Sequence, residues 1–231
     1  MLAALDTSIQ QQRQLVTDAN HELRTPLTSI RANIEMLERG DTLSPADRDQ
    51  LFADTRAELD ELMHIVTELA ELSSDPASQA GEREDVALDS VVASAVERAR
   101  RRTAIPIRLN TMPATVFGHA SLLERAVNNL LDNAIKWSPR DGEIEIDLAG
   151  GRVEVRDRGP GIPEGDLDRI FERFYRADDA RSQPGSGLGL AIVKQVAEAH
   201  GGSVYARQRP GGGAIVGFYV PQQAEDAPDV S

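Results

Sequence analysis

The chain has 231 residues, a formal net charge of -13 and a pI near 4.8, which permits one or two soluble acidic domains, and we expect two. Its lack of cysteine excludes disulfide frameworks, thiolate metal sites and cysteine nucleophiles. Its acidity argues against a basic surface for nucleic acid or anionic lipid, and it holds no run of about 18 apolar residues that would cross a membrane.

Leu2, Ile9, Val16, Leu23, Ile30 and Leu37 recur every seven residues, the seam of one long helix in a coiled coil or bundle. The opening "LAALDTSIQQQ" enters this repeat without a helix-start signal of its own, so the chain reads as part of something longer. Gly40 in "RGDTLSPADRD" breaks the pattern, and Ser44 before Pro45 offers an N-cap followed by proline at the first helical position. A second helix follows, with Leu51, Leu59, Leu62, Ile65, Val66, Leu69 and Leu72 as its apolar stripe. Two such helices cannot bury their seams alone, so a second copy completing a four-helix bundle, and hence a homodimer, is the expectation.

Residues 74–85, within "SSDPASQAGERED", are small, polar and proline-containing and read as a linker between a hairpin over 1–73 and a second domain over 86–222. "LDSVVASAVERARR" has a helical period, after which Ile105, Ile107 and Leu109, then Ile144, Ile146 and Leu148, then Val153 and Val155 alternate as strands. A final hairpin joins "SVYAR" to "AIVGFYV" around "PGGG", with helices expected at about 120–137 and 187–200. The fold class is α+β: a helical hairpin, then an α/β sandwich with a mixed, largely antiparallel sheet. Residues 223–231 are acidic, lack a core pattern and are expected to be disordered.

Within "DANHELRTPLTS", His21 lies about 160 degrees from Leu23 around the helix, and Thr25 falls one turn further along the face of His21. Glu22 stands alongside, where a carboxylate can fix the imidazole tautomer and raise the nucleophilicity of the other nitrogen. Pro26 removes a backbone N–H within a turn, so a local bend is expected. Taken alone, such a cluster is most simply a solvated helix face.

The second domain concentrates other chemistry. "NNLLDNAIKW" sets Asn129 and Asn133 on one helical face, with Lys136 and Trp137 a turn later; neutral amide oxygens suit a magnesium ion that also binds phosphates. In "VEVRDRGPGIP", Asp157 can accept a hydrogen bond from the exocyclic amine of adenine, while Gly159 and Gly161 admit the ring close to the backbone. "GSGLGLAIVKQVAEAH" opens an amphipathic helix with glycines whose N–H groups suit phosphate, but the polar "RADDARSQP" before it excludes a Rossmann turn, which needs a strand there. Residues 164–186 read as a mobile lid anchored by Phe171 and Phe174, with Arg173, Arg176 and Arg181 as candidate phosphate clamps and Arg181 the weakest of them. His64, His119 and His200 have no comparable neighbours and read as structural or incidental.

In these residues the chain resembles the cytoplasmic portion of a bacterial sensor histidine kinase of two-component signalling, over roughly residues 5–222. "HELRTPL" is similar to the family's phosphoacceptor box, "NLLDNAIKW" to its asparagine box, "DRGPGI" and "GSGLGL" to its two glycine boxes and "FERFYR" to its phenylalanine box. The resemblance implies an ATP-dependent protein-histidine kinase in which His21 accepts the phosphoryl group, Glu22 is its base and Thr25 orients water in dephosphorylation of the partner. It further implies that Asn133 ligates Mg2+, that Asn129 assists at the phosphates and that Asp157 binds adenine beside Gly159 and Gly161. Lys136 and Arg176 would meet phosphates, as would Gly185, Gly187, Leu188 and Gly189 at the lid end. Trp137 stands where the family commonly has tyrosine, which keeps stacking near the nucleotide and loses any hydroxyl contact. The implied partners are a second copy of the chain and a response regulator that takes the phosphoryl group on an aspartate. No nucleic acid is implied, and the membrane enters only through an upstream sensor joined by a signalling helix.

Overall fold

The structure is a computed structural model that describes residues 2–39, 43–73, 82–177 and 185–223. The 74–81 part of the expected linker, most of the C-terminal tail and Arg181 lie outside the described residues. Two compact units are present, Met1–Ser73 with Asp178–Leu188, and Ser74–Ala177 with Gly189–Ser231.

In the first unit, helices α1 (Leu2–Glu38) and α2 (Pro45–Ser73) pack on each other, and the short connection makes them antiparallel neighbours. The start of α2 follows from its sequence: Ser44 Oγ accepts the Asp47 N–H at 3.2 Å and donates to the Asp47 carboxylate at 2.7 Å, with Pro45 at the first helical position. Ile30, Ile65 and Leu72 are buried between elements, as the apolar stripes require. Pro26 sits inside α1, so the carbonyl of residue 22 receives no helical bond from it. A further set of apolar residues, Leu27 and Ile34 on α1 and Phe52, Leu59, Met63 and Val66 on α2, stays exposed at heptad-like spacing.

The first element of the second unit is β1 (Glu84–Ala87), whose first two residues fall in the stretch expected to be linker, and the unit continues through α3 (Leu88–Arg100), β2 (Ile107–Thr111), β3 (Thr115–Gly118) and α4 (Ala120–Trp137). Then come β4 (Ile144–Ala149), β5 (Arg152–Arg156), two 3-10 turns (Glu164–Asp166 and Arg169–Phe171), α5 (Gly189–Ala199), β6 (Ser203–Gln208) and β7 (Ala214–Tyr219). The main sheet has the order β2-β4-β5-β7-β6, parallel only between β2 and β4. This is the mixed, largely antiparallel sheet expected. A small antiparallel pair of β1 with β3 is additional.

The alternation of β4 and β5 buries Ile144, Ile146, Leu148, Val153 and Val155 against α4 and α5, whose own buried faces include Leu123, Leu130, Leu131, Ile192 and Val196. Each such large apolar side chain contributes about 1.5–3 kcal/mol on leaving water. The opposite face carries ion pairs instead: Arg156 meets Glu154 at 2.6 Å and also Asp147, and Arg207 meets Glu154 at 2.8 Å. Asp147 and Glu154 stand directly opposite in the β4–β5 register, a like-charge pairing that the Arg156 guanidinium neutralises.

Two histidines tie the start of α4 to the end of α5. His200 Nδ1 lies 2.7 Å from the Val196 carbonyl and Nε2 accepts the His119 backbone N–H at 3.0 Å, an arrangement that requires a neutral ring protonated on Nδ1. Their rings meet edge to face at 5.9 Å, and a Cβ on Gly118 would come within 2.2 Å of the His200 ring. Burial, helped by the nearby Arg83 and His119, pushes the His200 imidazole below its ordinary 6.5. A base whose folded value is depressed costs nothing above the unfolded value and loses stability as pH falls through it, because the unfolded chain takes the proton first. Between about pH 7.5 and about pH 5.5 the stability advantage of the wild type over His200→Gln should therefore shrink, as read from urea unfolding midpoints.

Candidate functional site

The site grows from the end of α4 and the turn after β5. The buried stripe of α4, Leu123 through Ala134, leaves Asn129 and Asn133 half-buried on a flank, with Lys136 and Trp137 in the last turn. Asn129 Nδ2 donates to the Arg125 carbonyl at 3.0 Å, which directs its amide nitrogen back along the helix. Asn133 Oδ1 accepts the Trp137 indole N–H at 3.2 Å, and the Lys136 ammonium lies 4.9 Å from the centre of the Trp137 ring.

Asp157 follows the last residue of β5 and is 3 % exposed. Its Oδ1 accepts the N–H groups of Gly159, at 2.8 Å, and Ala214, at 3.1 Å, so a single oxygen serves the turn. Its backbone N–H donates to the Ala214 carbonyl at 3.0 Å, and its carbonyl accepts Arg209 Nη1 at 3.1 Å. Gly159 cannot carry a side chain here: a Cβ would stand 2.6 Å from the Trp137 carbonyl and 3.1 Å from Asp157 Oδ1. The asparagine helix and the aspartate turn are thus one wall. Gly161, at φ +82, lies against Gln208 and Gly213 in the same turn.

Not every expected residue is gathered there. His21 and Glu22 belong to α1, but their side chains lie outside the described ones; Thr25 is exposed on that helix. Arg176 is half-buried just beyond the 3-10 turns, where Phe171 is buried, Phe174 is half-buried at φ +59 and the Tyr175 hydroxyl donates to Asp166 at 2.6 Å. Gly185 and Gly187 adopt φ of +132 and +74, Ser186 Oγ accepts the N–H of the buried Leu188 at 3.1 Å, and Gly189 opens α5. Gly185, Ser186, Gly187 and Leu188 group with the helical unit and Gly189 with the sheet unit.

Arg209 and Gly213 belong to none of the family motifs in the sequence, yet both reach Asp157. Arg209 is buried and bridges the Asp157 carbonyl to the Glu145 carboxylate, and a Cβ on Gly213 would lie 2.1 Å from the Asp157 carbonyl oxygen. The signal was the run "PGGG", read as a hairpin turn alone although two glycines suffice for that.

A magnesium ion fits this wall only in company. Among the described residues no group of three or more acidic or histidine side chains forms a cage. Asn133 offers a neutral amide oxygen, one of whose lone pairs remains after the indole bond, the donor set of an ion held chiefly by phosphates and water.

Comparison with known proteins is consistent along the chain. The His Kinase A (phospho-acceptor) domain family matches residues 11–77, and the histidine kinase-, DNA gyrase B- and HSP90-like ATPase family matches residues 118–224. The signal transduction histidine-protein kinase/phosphatase MprB of Mycolicibacterium vanbaalenii is 44% identical over 230 residues, covering 94% of this chain and 47% of that protein. The chain thus spans about half the length of the curated relatives it matches. A solved structure of a mycobacterial sensor histidine kinase MprB is 41% identical with a TM-score of 0.56, covering 61% of this chain and 99% of that one. Full-length ShkA in complex with AMPPNP is 26% identical with a TM-score of 0.57, covering 94% of this chain and 47% of that one.

Because Gly213 presses on the Asp157 backbone, Gly213→Ala should cost about 1–3 kcal/mol in thermal unfolding and weaken ADP binding in calorimetry. Gly165→Ala, whose Cβ meets nothing within 4 Å, should change neither.

Proposed function

The chain belongs to the bacterial sensor histidine kinases, and from that premise we propose that it is an ATP-dependent protein-histidine kinase acting on its own His21. The observation that carries the proposal is one chain joining a phospho-acceptor family match that includes His21 to an ATPase family match that includes the Asn133–Asp157 wall.

In this reading Asp157 receives the adenine amine on the oxygen its turn leaves over, and Gly159 and Gly161 admit the ring to the backbone. Asn129, Asn133, Lys136 and Arg176 face the phosphates, with Gly185, Gly187, Leu188 and Gly189 closing the lid end. Magnesium held with the nucleotide would neutralise phosphate charge. Glu22 orients the imidazole and takes its proton as His21 forms the P–N bond and the terminal P–O bond of ATP breaks, leaving ADP. Positioning and electrostatics supply most of the acceleration in phosphoryl transfer. The phosphoryl group then passes to an aspartate of a response regulator. Thr25, exposed one turn after His21, supports a reverse role in removing phosphate from that regulator, the activity paired with kinase in the relative's name.

The exposed apolar set Leu27, Ile34, Phe52, Leu59, Met63 and Val66 supports a second copy as the partner of the helical hairpin, giving a four-helix bundle. No helix among the described residues is long and apolar enough to cross a membrane, so attachment to one, and a cytoplasmic place for this part, would come through a segment outside the chain.

Labelling with γ-phosphate-labelled ATP should give an acid-labile, alkali-stable product that His21→Gln abolishes while ADP affinity is retained. Asn133→Ala should lower the same labelling through weakened magnesium-nucleotide binding. Undiminished labelling of the His21 variant would end this assignment. Paired charges at Leu59→Asp and Val66→Asp should shift the mass in analytical ultracentrifugation from dimer to monomer while leaving ADP binding intact.

A further inference from the structure

The family resemblance implies only a stacking role for Trp137, yet in the structure it is the residue to which the asparagine and the lysine of the last turn of α4 are both tied. Its indole N–H donates to Asn133 Oδ1 at 3.2 Å, its ring face lies 4.9 Å below the Lys136 ammonium, and its carbonyl backs onto Gly159. An indole N–H is donor-only, so its partner on Asn133 must be the amide oxygen. The amide is thereby fixed with oxygen, not nitrogen, at this position, and the second lone pair of that oxygen stays available to a cation. A phenolic hydroxyl at this place both donates and accepts and would tolerate either orientation of the amide. The aromatic face acts separately, holding a positive charge by its quadrupole.

We propose that Trp137 is a positioning residue that sets the affinity for magnesium-nucleotide by locking the Asn133 amide oxygen toward the metal and by seating Lys136. This rests on the nucleotide-site reading above and adds to it a cause for the magnesium-linked part of nucleotide affinity. One net hydrogen bond to the amide corresponds to a change of about three- to tenfold in affinity. That change should fall on the metal-loaded complex, because metal-free nucleotide does not require the oxygen orientation.

Trp137 is the only tryptophan of the chain, so its emission reports on this site without labelling. The full chain and its Trp137→Phe and Trp137→Tyr variants are titrated with ADP in the presence of Mg2+ and, separately, of EDTA, by calorimetry, with thermal unfolding alongside. In wild type the emission should shift on adding Mg2+ to the ADP-bound protein, and Mg2+ should strengthen ADP binding. Trp137→Phe should lose about three- to tenfold of that magnesium-linked gain, read as the ratio of its own affinities with Mg2+ and with EDTA so that any change in stacking cancels, and Trp137→Tyr should recover part of the gain. Equal losses with and without Mg2+, a Phe variant that keeps the full gain, or emission indifferent to Mg2+ would each overturn the proposal. Wild type that binds ADP in neither condition would overturn the nucleotide-site reading first, and this inference with it.

Discussion

Much of the second unit is organised by what a single carboxylate oxygen does. Asp157 Oδ1 takes the N–H groups of Gly159 and Ala214, which stitches the end of β5 to its own following turn and to the start of β7. A buried carboxylate is tolerated only where such donors compensate its desolvation. Once it is so held, the surrounding geometry narrows: Gly159 must approach the end of α4, Gly213 must approach the Asp157 carbonyl, and Arg209 must lie buried between that carbonyl and Glu145. The interaction that fastens the end of β5 to β7 within the sheet also shapes the wall made with the end of α4.

The helical unit obeys a different constraint. A heptad seam can satisfy one neighbour: α1 and α2 pack on each other and bury Ile30, Ile65 and Leu72, while a second apolar set remains at the surface. Pro26 lies a turn beyond His21 and frees the carbonyl of residue 22 from its helical bond, so the regular ladder is interrupted where the phosphoacceptor motif lies. On the proposed reading this helix would be reached in turn by a nucleotide domain and by a partner protein, and Thr25, one turn after His21, is exposed on it.

Local periodicity made the fold class legible. Period-seven spacing revealed α1, the Ser44–Pro45 pair revealed the start of α2, and alternation at Ile144, Ile146 and Leu148 revealed a strand with one buried face. The short β1–β3 pair escaped because its register joins Glu84–Ala87 to Thr115–Gly118, and neither strand is long enough to display a pattern. At the site, residue types near one another in sequence, such as Asn129 with Asn133 or Asp157 with Gly159, were readable from helical spacing and turn chemistry. The contacts of Arg209 and Gly213 with Asp157 were not, since they cross more than fifty positions and depend on how β5 and β7 are paired. The indole bond of Trp137 is local, but its side chain could equally have faced outward, and spacing alone does not choose a rotamer.

The place of β7 has a consequence for synthesis. It is the last strand in sequence among the described residues, yet it lies between β5 and β6 and carries Phe218, one of the largest fully buried side chains. It also supplies Ala214 to both bonds with Asp157. On the ribosome, α1 and α2 can collapse as local neighbours as soon as they emerge, whereas the sheet has a gap at its centre until Tyr219 is free of the exit tunnel. A nascent chain therefore presents its helical hairpin long before the unit that matches the ATPase family can close, and that unit is complete only once translation has passed this strand.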